Sequence, residues 1–177
     1  MITSHTLSIL VQNKPGVLAR VSGLFARRGF NITSLAVGET ENPEVSRMTV
    51  VLSADGKPVE QCVKQLYKLI QVLRVEELPL DHAVEREVAL IKVGAGARDR
   101  AAVIEIVEIF RAKVVDVDGE ALTVEVTGSP EKVRALEALL EPYGIVEVVR
   151  TGRIAIARGA RGIKAPTLRP VPIETAS

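Results

Sequence analysis

The sequence is poor in the residues that form disulfide bonds and metal sites. Its 177 residues include one cysteine and two histidines. A single cysteine, Cys62, excludes an internal disulfide bond, and His5 and His82 lie too far apart in the sequence to suggest a metal-binding cluster. We therefore expect a protein with no structural disulfide and no bound metal ion.

Long apolar runs and an excess of one charge are also absent. No stretch approaches the roughly 18 consecutive apolar residues of a membrane-spanning helix, and residues 1–5 lack the basic-then-apolar layout of a signal peptide. The 23 basic and 22 acidic residues nearly cancel, so no global field attracts nucleic acid or an anionic membrane. Because 47% of the residues are apolar, we expect a soluble, cytoplasmic protein with a packed core.

The pattern of apolar residues repeats once along the chain. In each half, period-two alternation predicts strands and a spacing of three or four residues predicts helices, in the order strand, helix, strand, strand, helix, strand. This order is typical of the ferredoxin-like βαββαβ fold, in which two helices cover one face of an antiparallel sheet. The sequence therefore predicts an α+β protein with two such domains in tandem, at residues 1–78 and 84–157.

Turn and capping residues support individual elements of this plan. Gly29 is placed to end the first helix, and Asp118-Gly119 suits the turn of a hairpin. A turn at Asp55-Gly56 precedes apolar residues whose spacing predicts a helix from Val59 to Ile70. In the second half, residues 129–131, Ser-Pro-Glu, match the preferences of an N-cap, a first turn and the positive end of a helix dipole.

The far face of each predicted sheet needs a cover. The strand at residues 84–93 has apolar residues on both faces, which predicts contact with another sheet or subunit and therefore an oligomer. From residue 158 onward, arginine and lysine alternate with glycine and proline, a composition that does not build a core. We interpret residues 158–177 as a mobile basic tail.

Residues 13–18, between the first strand and the first helix, are the most informative segment. A helix N-terminus presents free N–H groups and positive potential, so it can hold a carboxylate without arginine. Gly16 lets a ligand approach the backbone. Asparagine side chains offer donors and acceptors for a carboxylate and an ammonium, and apolar residues offer surface to a short aliphatic side chain. The candidate effector-binding residues are Asn13, Lys14, Pro15, Gly16, Val17, Leu18, Asn31 and Ile32.

Spacing alone also fits a simpler interpretation, in which Pro15-Gly16 only starts a helix and Asn31 only lies in a turn. However, the run Asn13-x-Pro-Gly-Val-Leu18 followed by Gly-Phe-Asn31-Ile32 resembles the signature of ACT domains, the amino-acid-sensing modules of metabolic enzymes. Further segments are similar to the small, regulatory subunit of acetolactate (acetohydroxyacid) synthase. They are residues 30–35, 46–49, 73–75, 109–111 and 116–117. The resemblance covers nearly the whole chain except the tail.

The resemblance implies that the N-terminal halves of two chains form one shared sheet in a homodimer, or in a larger assembly such as a tetramer. Valine or a related amino acid would bind between Asn13, Gly16, Val17 and Leu18 of one chain and Asn31 and Ile32 of the other. Residues 94–99, Gly-Ala-Gly-Ala-Arg-Asp, replace the motif in the second half, so effector binding is not expected there.

The resemblance also implies a role. Such subunits activate a separate thiamine-diphosphate-dependent catalytic subunit, which joins two pyruvates, or pyruvate and 2-ketobutyrate, and they transmit feedback inhibition by branched-chain amino acids. Thiamine diphosphate, magnesium and FAD would belong to that subunit, and this chain would have no catalytic residues.

Three other functions fit parts of the same pattern. Acylphosphatases share the fold, but residues 13–18 contain no arginine, and Cys62, on the apolar stripe of its helix, is predicted to be a core residue rather than a nucleophile. RNA-binding modules of this architecture stack bases on aromatic residues of the central strands, and those positions hold no aromatic residue here. A free-standing amino-acid sensor that modulates another enzyme or a transcription factor remains the alternative.

Overall fold

The computed structural model describes residues 3–54 and 59–164. It is an α+β structure with two βαββαβ sheets in tandem, which confirms the predicted fold class. The first unit contains β1 (Thr3–Gln12), α1 (Val17–Arg27), β2 (Asn31–Glu39), β3 (Val45–Ala54), α2 (Val59–Leu66) and β4 (Val72–Glu77). The second contains β5 (Ala83–Gly94), α3 (Arg100–Ile109), β6 (Lys113–Val117), β7 (Ala121–Gly128), α4 (Pro130–Leu140), β8 (Ile145–Arg150) and β9 (Ile154–Ala157).

The two sheets have the same topology. The strand order is β2-β3-β1-β4 in the first and β6-β7-β5-β8 in the second, and every paired strand runs antiparallel to its neighbour. A short 3-10 turn, Leu80–His82, joins the two units. The predicted domain limits of 1–78 and 84–157 stay a prediction. The turn predicted at residues 55–56 lies outside the described residues.

Each sheet packs one face against its two helices. Along β1, Leu7, Ile9 and Val11 are buried against α1 and α2, while Thr6 and Ser8 point to the opposite face, since successive side chains of a strand alternate. The second core is built in the same way from β5, β7, α3 and α4. Burial of these side chains is the main force that stabilises both units.

The ends of three helices test the local predictions. Gly29 follows α1 with a φ of 69°, and Ser129 caps α4 by accepting a hydrogen bond from the Lys132 N–H at 3.4 Å, both as predicted. Apolar spacing predicts that the second helix of the first domain reaches Ile70, but α2 ends at Leu66. After Leu66 the N–H groups of Lys68 and Leu69 bind carbonyls three residues earlier, which turns the chain toward β4 and leaves Ile70 86% exposed. The Tyr67 hydroxyl forms hydrogen bonds with the backbone of Val75.

The outer face of the first sheet is covered by the second unit of the same chain. The first residues of β5 pair with β9, and this two-stranded ribbon lies on that face. Ala83 and Ala155 of the ribbon join Leu10 and Val45 in a third apolar cluster. This contact supplies part of the cover that the sequence analysis assigned to another sheet or subunit. Farther along β5, Leu90 remains 41% exposed.

Polar groups fill the rest of this contact, which we call the domain seam. Glu85 accepts a hydrogen bond from the Thr6 hydroxyl at 3.1 Å and pairs with Arg153 at 3.3 Å, and both charged side chains are largely buried. The Arg153 backbone N–H donates to the Ser34 hydroxyl at 2.7 Å. Gly152, with a φ of 84°, lies so close that an added Cβ would be 2.9 Å from the Leu35 carbonyl oxygen. The connection between β8 and β9 is therefore attached directly to β2.

The start of the predicted tail is part of this packing. Ile163 is 5% exposed in the third apolar cluster, and its carbonyl accepts a hydrogen bond from Arg47 at 3.3 Å. The prediction of a mobile tail is wrong for this residue, because composition does not show that one apolar side chain reaches a cluster. Residues 165–177 lie outside the described residues. No helix in the described parts of the chain is long and apolar enough to span a lipid bilayer.

Candidate functional site

The loop before α1 leaves the helix N-terminus open. Gly16 occupies the N-cap position with φ 81° and ψ −8°, a left-handed conformation that favours glycine, and no side chain caps the helix. A Cβ added to Gly16 would have no neighbour within 4 Å. Lys14 and Pro15 beside it are exposed. The Val17 N–H donates to the Lys14 carbonyl at 3.4 Å, and the N–H groups that follow it in the first turn of α1 face a space that a small anion can enter.

Asn13 ties this loop to the turn between β2 and β3. Its side-chain amide donates to Glu39 Oε1 at 3.1 Å and to the Pro43 carbonyl at 2.9 Å. Its backbone N–H donates to the Glu44 carbonyl at 2.8 Å. Three hydrogen bonds of Asn13 therefore hold the loop to the end of β2 and the turn after it, and Asn13 and Glu39 together present an amide and a carboxylate at one surface position.

The apolar residues predicted for the site differ in how far their side chains are exposed. Leu18 is 44% exposed at the loop, where it can contact a ligand. Val17 is 4% exposed and packs in the core with Val21, Leu24 and Phe25, so its predicted role as an apolar wall for the ligand is wrong for the side chain. Helical spacing explains the correction, because positions 17, 21, 24 and 25 share the face that meets the sheet. Only the backbone of Val17 is left at the loop.

The other two predicted residues lie at the far end of the sheet. Asn31 begins β2 and pairs with Ser53, whereas Gln12, next to Asn13, pairs with Val45 of the same strand. Eight residues of extended chain separate the two β3 positions, or about 26 Å at about 3.3 Å per residue. Asn31 is exposed, and Ile32 is half-buried against the core. A single chain does not bring the two asparagines together.

Comparison with known proteins decides the family. The family model "AHAS small subunit-like ACT domain" matches residues 7–74, and "Small subunit of acetolactate synthase" matches residues 86–159. The chain belongs to the acetolactate synthase small-subunit family. It is 59% identical over 162 residues to the acetolactate synthase small subunit of Mycolicibacterium smegmatis, covering 92% of this chain and 95% of that protein.

Other members of the small-subunit family agree with this assignment. A probable acetolactate synthase small subunit of Archaeoglobus fulgidus is 52% identical over 155 residues, which cover 88% of this chain and 97% of that protein. The crystal structure of the small subunit from Thermotoga maritima superposes with a TM-score of 0.82 at 45% identity, and the match covers 89% of this chain and 99% of that chain. The regulatory class and the ACT fold predicted from residues 13–18 and 29–32 are therefore confirmed.

In this small subunit the corresponding loop of the second domain is closed. The Arg100 side chain folds back over residues 94–99 and donates to the carbonyls of Ala95 at 3.0 Å, Asp118 at 2.5 Å and Gly119 at 2.7 Å. Ala95 is fully buried, and its N–H donates to the Glu120 carbonyl. A Cβ on Gly94 would lie 2.7 Å from the Tyr143 carbonyl oxygen. Arg100 and Ala95 hold this loop against its own domain, although no side chain caps the N-terminus of α3.

Sequence reasoning missed Glu39, the partner of Asn13. The signal was present in the hairpin register, because Glu39 pairs with Ser46 while Gln12 pairs with the adjacent Val45. The predicted core role of Cys62 is confirmed, since its side chain is 1% exposed and burial raises the pKa of its thiol to about 11. At neutral pH this thiol is protonated and unsuited to nucleophilic chemistry.

Proposed function

We propose that this chain activates the catalytic subunit of acetolactate synthase and makes it sensitive to valine or a related branched-chain amino acid. In this proposal the chain has no catalytic residues, and the thiamine diphosphate, magnesium and FAD belong to the catalytic subunit. The complex works in the cytoplasm. The names of the relatives, small subunits of acetolactate synthase, support a larger partner.

One observation carries the proposed effector site. Asn13 lies about 26 Å from Asn31 along the sheet, by strand spacing, yet Asn13 is hydrogen-bonded to Glu39, the last residue of β2. Asn31 is the first residue of that strand. The two asparagines therefore mark the two ends of β2, which in the described residues pairs with β3 only and leaves its other edge unpaired.

Antiparallel pairing of β2 with β2 of a second chain would bring the first residue of one strand next to the last residue of the other. If the two-fold axis passes near the middle residue, Leu35, Asn31 of one chain lies opposite Glu39 of the partner subunit. The partner's Asn13 then comes within reach of Asn31. Each dimer has two such sites, related by symmetry, and each is incomplete in a single chain.

The chemistry of this composite site suits a free amino acid. The open N-terminus of α1 would hold the carboxylate. The amide N–H groups of Asn13 already bind Glu39 and Pro43, so its side-chain oxygen would accept from the ammonium. Glu39 supplies an acceptor for the ammonium, while Leu18 from one chain and Ile32 from the other supply apolar contact for a short branched side chain. The effector would shift activity through its different affinities for two arrangements of the dimer, with a coupling of about 1–3 kcal/mol.

A subunit-mixing experiment tests the composite site. Asn13→Ala and Asn31→Ala should each weaken valine binding at least tenfold in calorimetric titration. In a heterodimer of the two variants, one site combines both substitutions and the other has both asparagines intact. Heterodimers isolated with two affinity tags should therefore regain wild-type affinity at half the wild-type number of sites.

The result that would contradict the site is equally clear. If valine binds within one chain, mixing the two variants restores no valine binding.

The regulatory role is tested separately, by measuring acetolactate formation by the cognate catalytic subunit with and without this protein. Increased activity that valine suppresses supports the proposal, and unchanged activity with a folded dimer contradicts it. Leucine and isoleucine serve as comparison effectors.

A further inference from the structure

An apolar groove lies between the two domains on the outer face of the first sheet. Its volume is about 380 Å³, and its two walls are residues 36–39 of β2 and residues 154–156 of β9. Ile154 and Ile156 are each 57% exposed there. Isoleucine side chains exposed side by side in a concave surface are typical of a binding site rather than of ordinary surface.

Two arginines line the same groove together with one carboxylate, Glu39, which accepts a hydrogen bond from Asn13. Arg47, half-buried on β3, donates to the Ile163 carbonyl, and Arg86, exposed on β5, donates to the Glu85 carbonyl at 2.7 Å. Within the described residues neither guanidinium forms an ion pair with a carboxylate. Guanidinium groups match carboxylates in geometry and charge, so the groove suits an occupant that is both aliphatic and acidic.

The edges of the groove favour an extended chain over a small acid. In the described residues β9 pairs with β5 along one edge only, so backbone groups of its other edge are available for strand addition. A second copy of this chain is a poor occupant, because the groove has two arginines and one glutamate, so two-fold contact of the same patch would oppose two net positive charges. An extended segment of a different protein can hydrogen-bond to the free edge of β9, pack against the apolar walls and place a carboxylate at the arginines.

We infer that this interdomain groove is the docking site for an extended segment of the catalytic subunit that contains aliphatic residues and a carboxylate. The inference rests on the proposed function, which supplies the partner. It also places docking next to the effector site, because residues 36–39 of β2 line the groove and Glu39 is the proposed acceptor for the effector ammonium. Gly152 and Arg153 attach the β9 wall to the same strand.

Charge reversal tests the inference on the intact proteins. Arg86→Glu changes an exposed residue of the groove, and Arg98→Glu makes the same change at an exposed position in the loop before α3, at the other end of β5. The concentration of each variant that half-activates the cognate catalytic subunit gives the apparent affinity, and calorimetry gives the direct affinity. We expect Arg86→Glu to weaken association at least tenfold and Arg98→Glu to change it less than twofold.

A second variant tests the apolar wall. Ile156→Ser removes an exposed aliphatic side chain without opening the core, and we expect it to weaken association about fivefold. Both groove variants should retain the wild-type sedimentation coefficient and valine affinity. Equal association of Arg86→Glu and Arg98→Glu overturns the inference, and so does loss of the dimer in Arg86→Glu, which would make the groove a contact between copies. Failure of the wild-type protein to bind the catalytic subunit contradicts the proposed function itself.

Discussion

The two domains share a topology but use the loop after their first strand in opposite ways. In the first domain Gly16 opens the helix N-terminus, with no neighbour within 4 Å of an added Cβ. In the second domain Arg100 fills the loop, and a Cβ added to Gly94 would lie 2.7 Å from a carbonyl oxygen. The first loop leaves open space above its glycine, and the second is hydrogen-bonded to the rest of its domain. A repeated fold therefore does not repeat its site.

The strongest way to break this comparison is to close the open loop. Gly16→Asp places a carboxylate where the effector carboxylate is proposed to bind, and we expect valine affinity to fall about 100-fold, or about 2.7 kcal/mol. Gly16→Ala has the same backbone strain without the charge and should stay within about fivefold of wild type. Calorimetric titration measures both. Retained valine binding in Gly16→Asp would show that the carboxylate lies elsewhere.

A glycine substitution in the closed loop should have the opposite consequence. Gly94→Ala forces a Cβ against the Tyr143 carbonyl, and we expect it to destabilise the protein by about 1–3 kcal/mol while valine affinity is unchanged. Gly119→Ala, where an added Cβ has no neighbour within 4 Å, is the matched control and should change stability by less than about 1 kcal/mol. Urea unfolding measures both, and equal stabilities would mean that the second loop tolerates a side chain at its first residue.

The smallest expected effect comes from removing the Arg100 side chain from the closed loop. Arg100→Ala removes the donors to three backbone carbonyls, and we expect a loss of about 1–2 kcal/mol in the free energy of unfolding. The number of valine molecules bound per chain should remain one, because this loop has no counterpart of Asn13 and Gly16. A second bound valine in the variant would mean that Arg100 alone keeps the two loops different.

Much of the fold was predictable because it depends on local periodicity. The alternation of Leu7, Ile9 and Val11 and the caps at Gly29 and Ser129 each determine an element through interactions within a few residues. The end of α2 was not predictable in this way. It coincides with a tight backbone turn and with hydrogen bonds between the Tyr67 hydroxyl and β4, a contact between elements that periodicity does not report.

The candidate site was predicted in part for the same reason. The loop from Asn13 to Leu18 has a strong local signal, but the position of Asn31 relative to it depends on strand register and, in our proposal, on a second chain. The burial of Val17 depends on the rotation of α1 about its axis, which turns Val17 toward the sheet and Leu18 toward solvent. The seam residues Ser34, Glu85 and Arg153 gave no local signal, because their partners are 68 or more residues away in sequence.

The composition of the domain seam has a mechanical consequence. Ile163, Leu10 and Ala155 form an apolar contact at one place, which resists separation because pulling it apart exposes apolar surface to water. Along the rest, Thr6, Ser34, Glu85 and Arg153 make hydrogen bonds whose loss water partly offsets when the seam opens. We therefore expect the second domain to rotate about the apolar end of the seam more readily than it separates from the first. A small change in β2 can then alter the angle between the two domains.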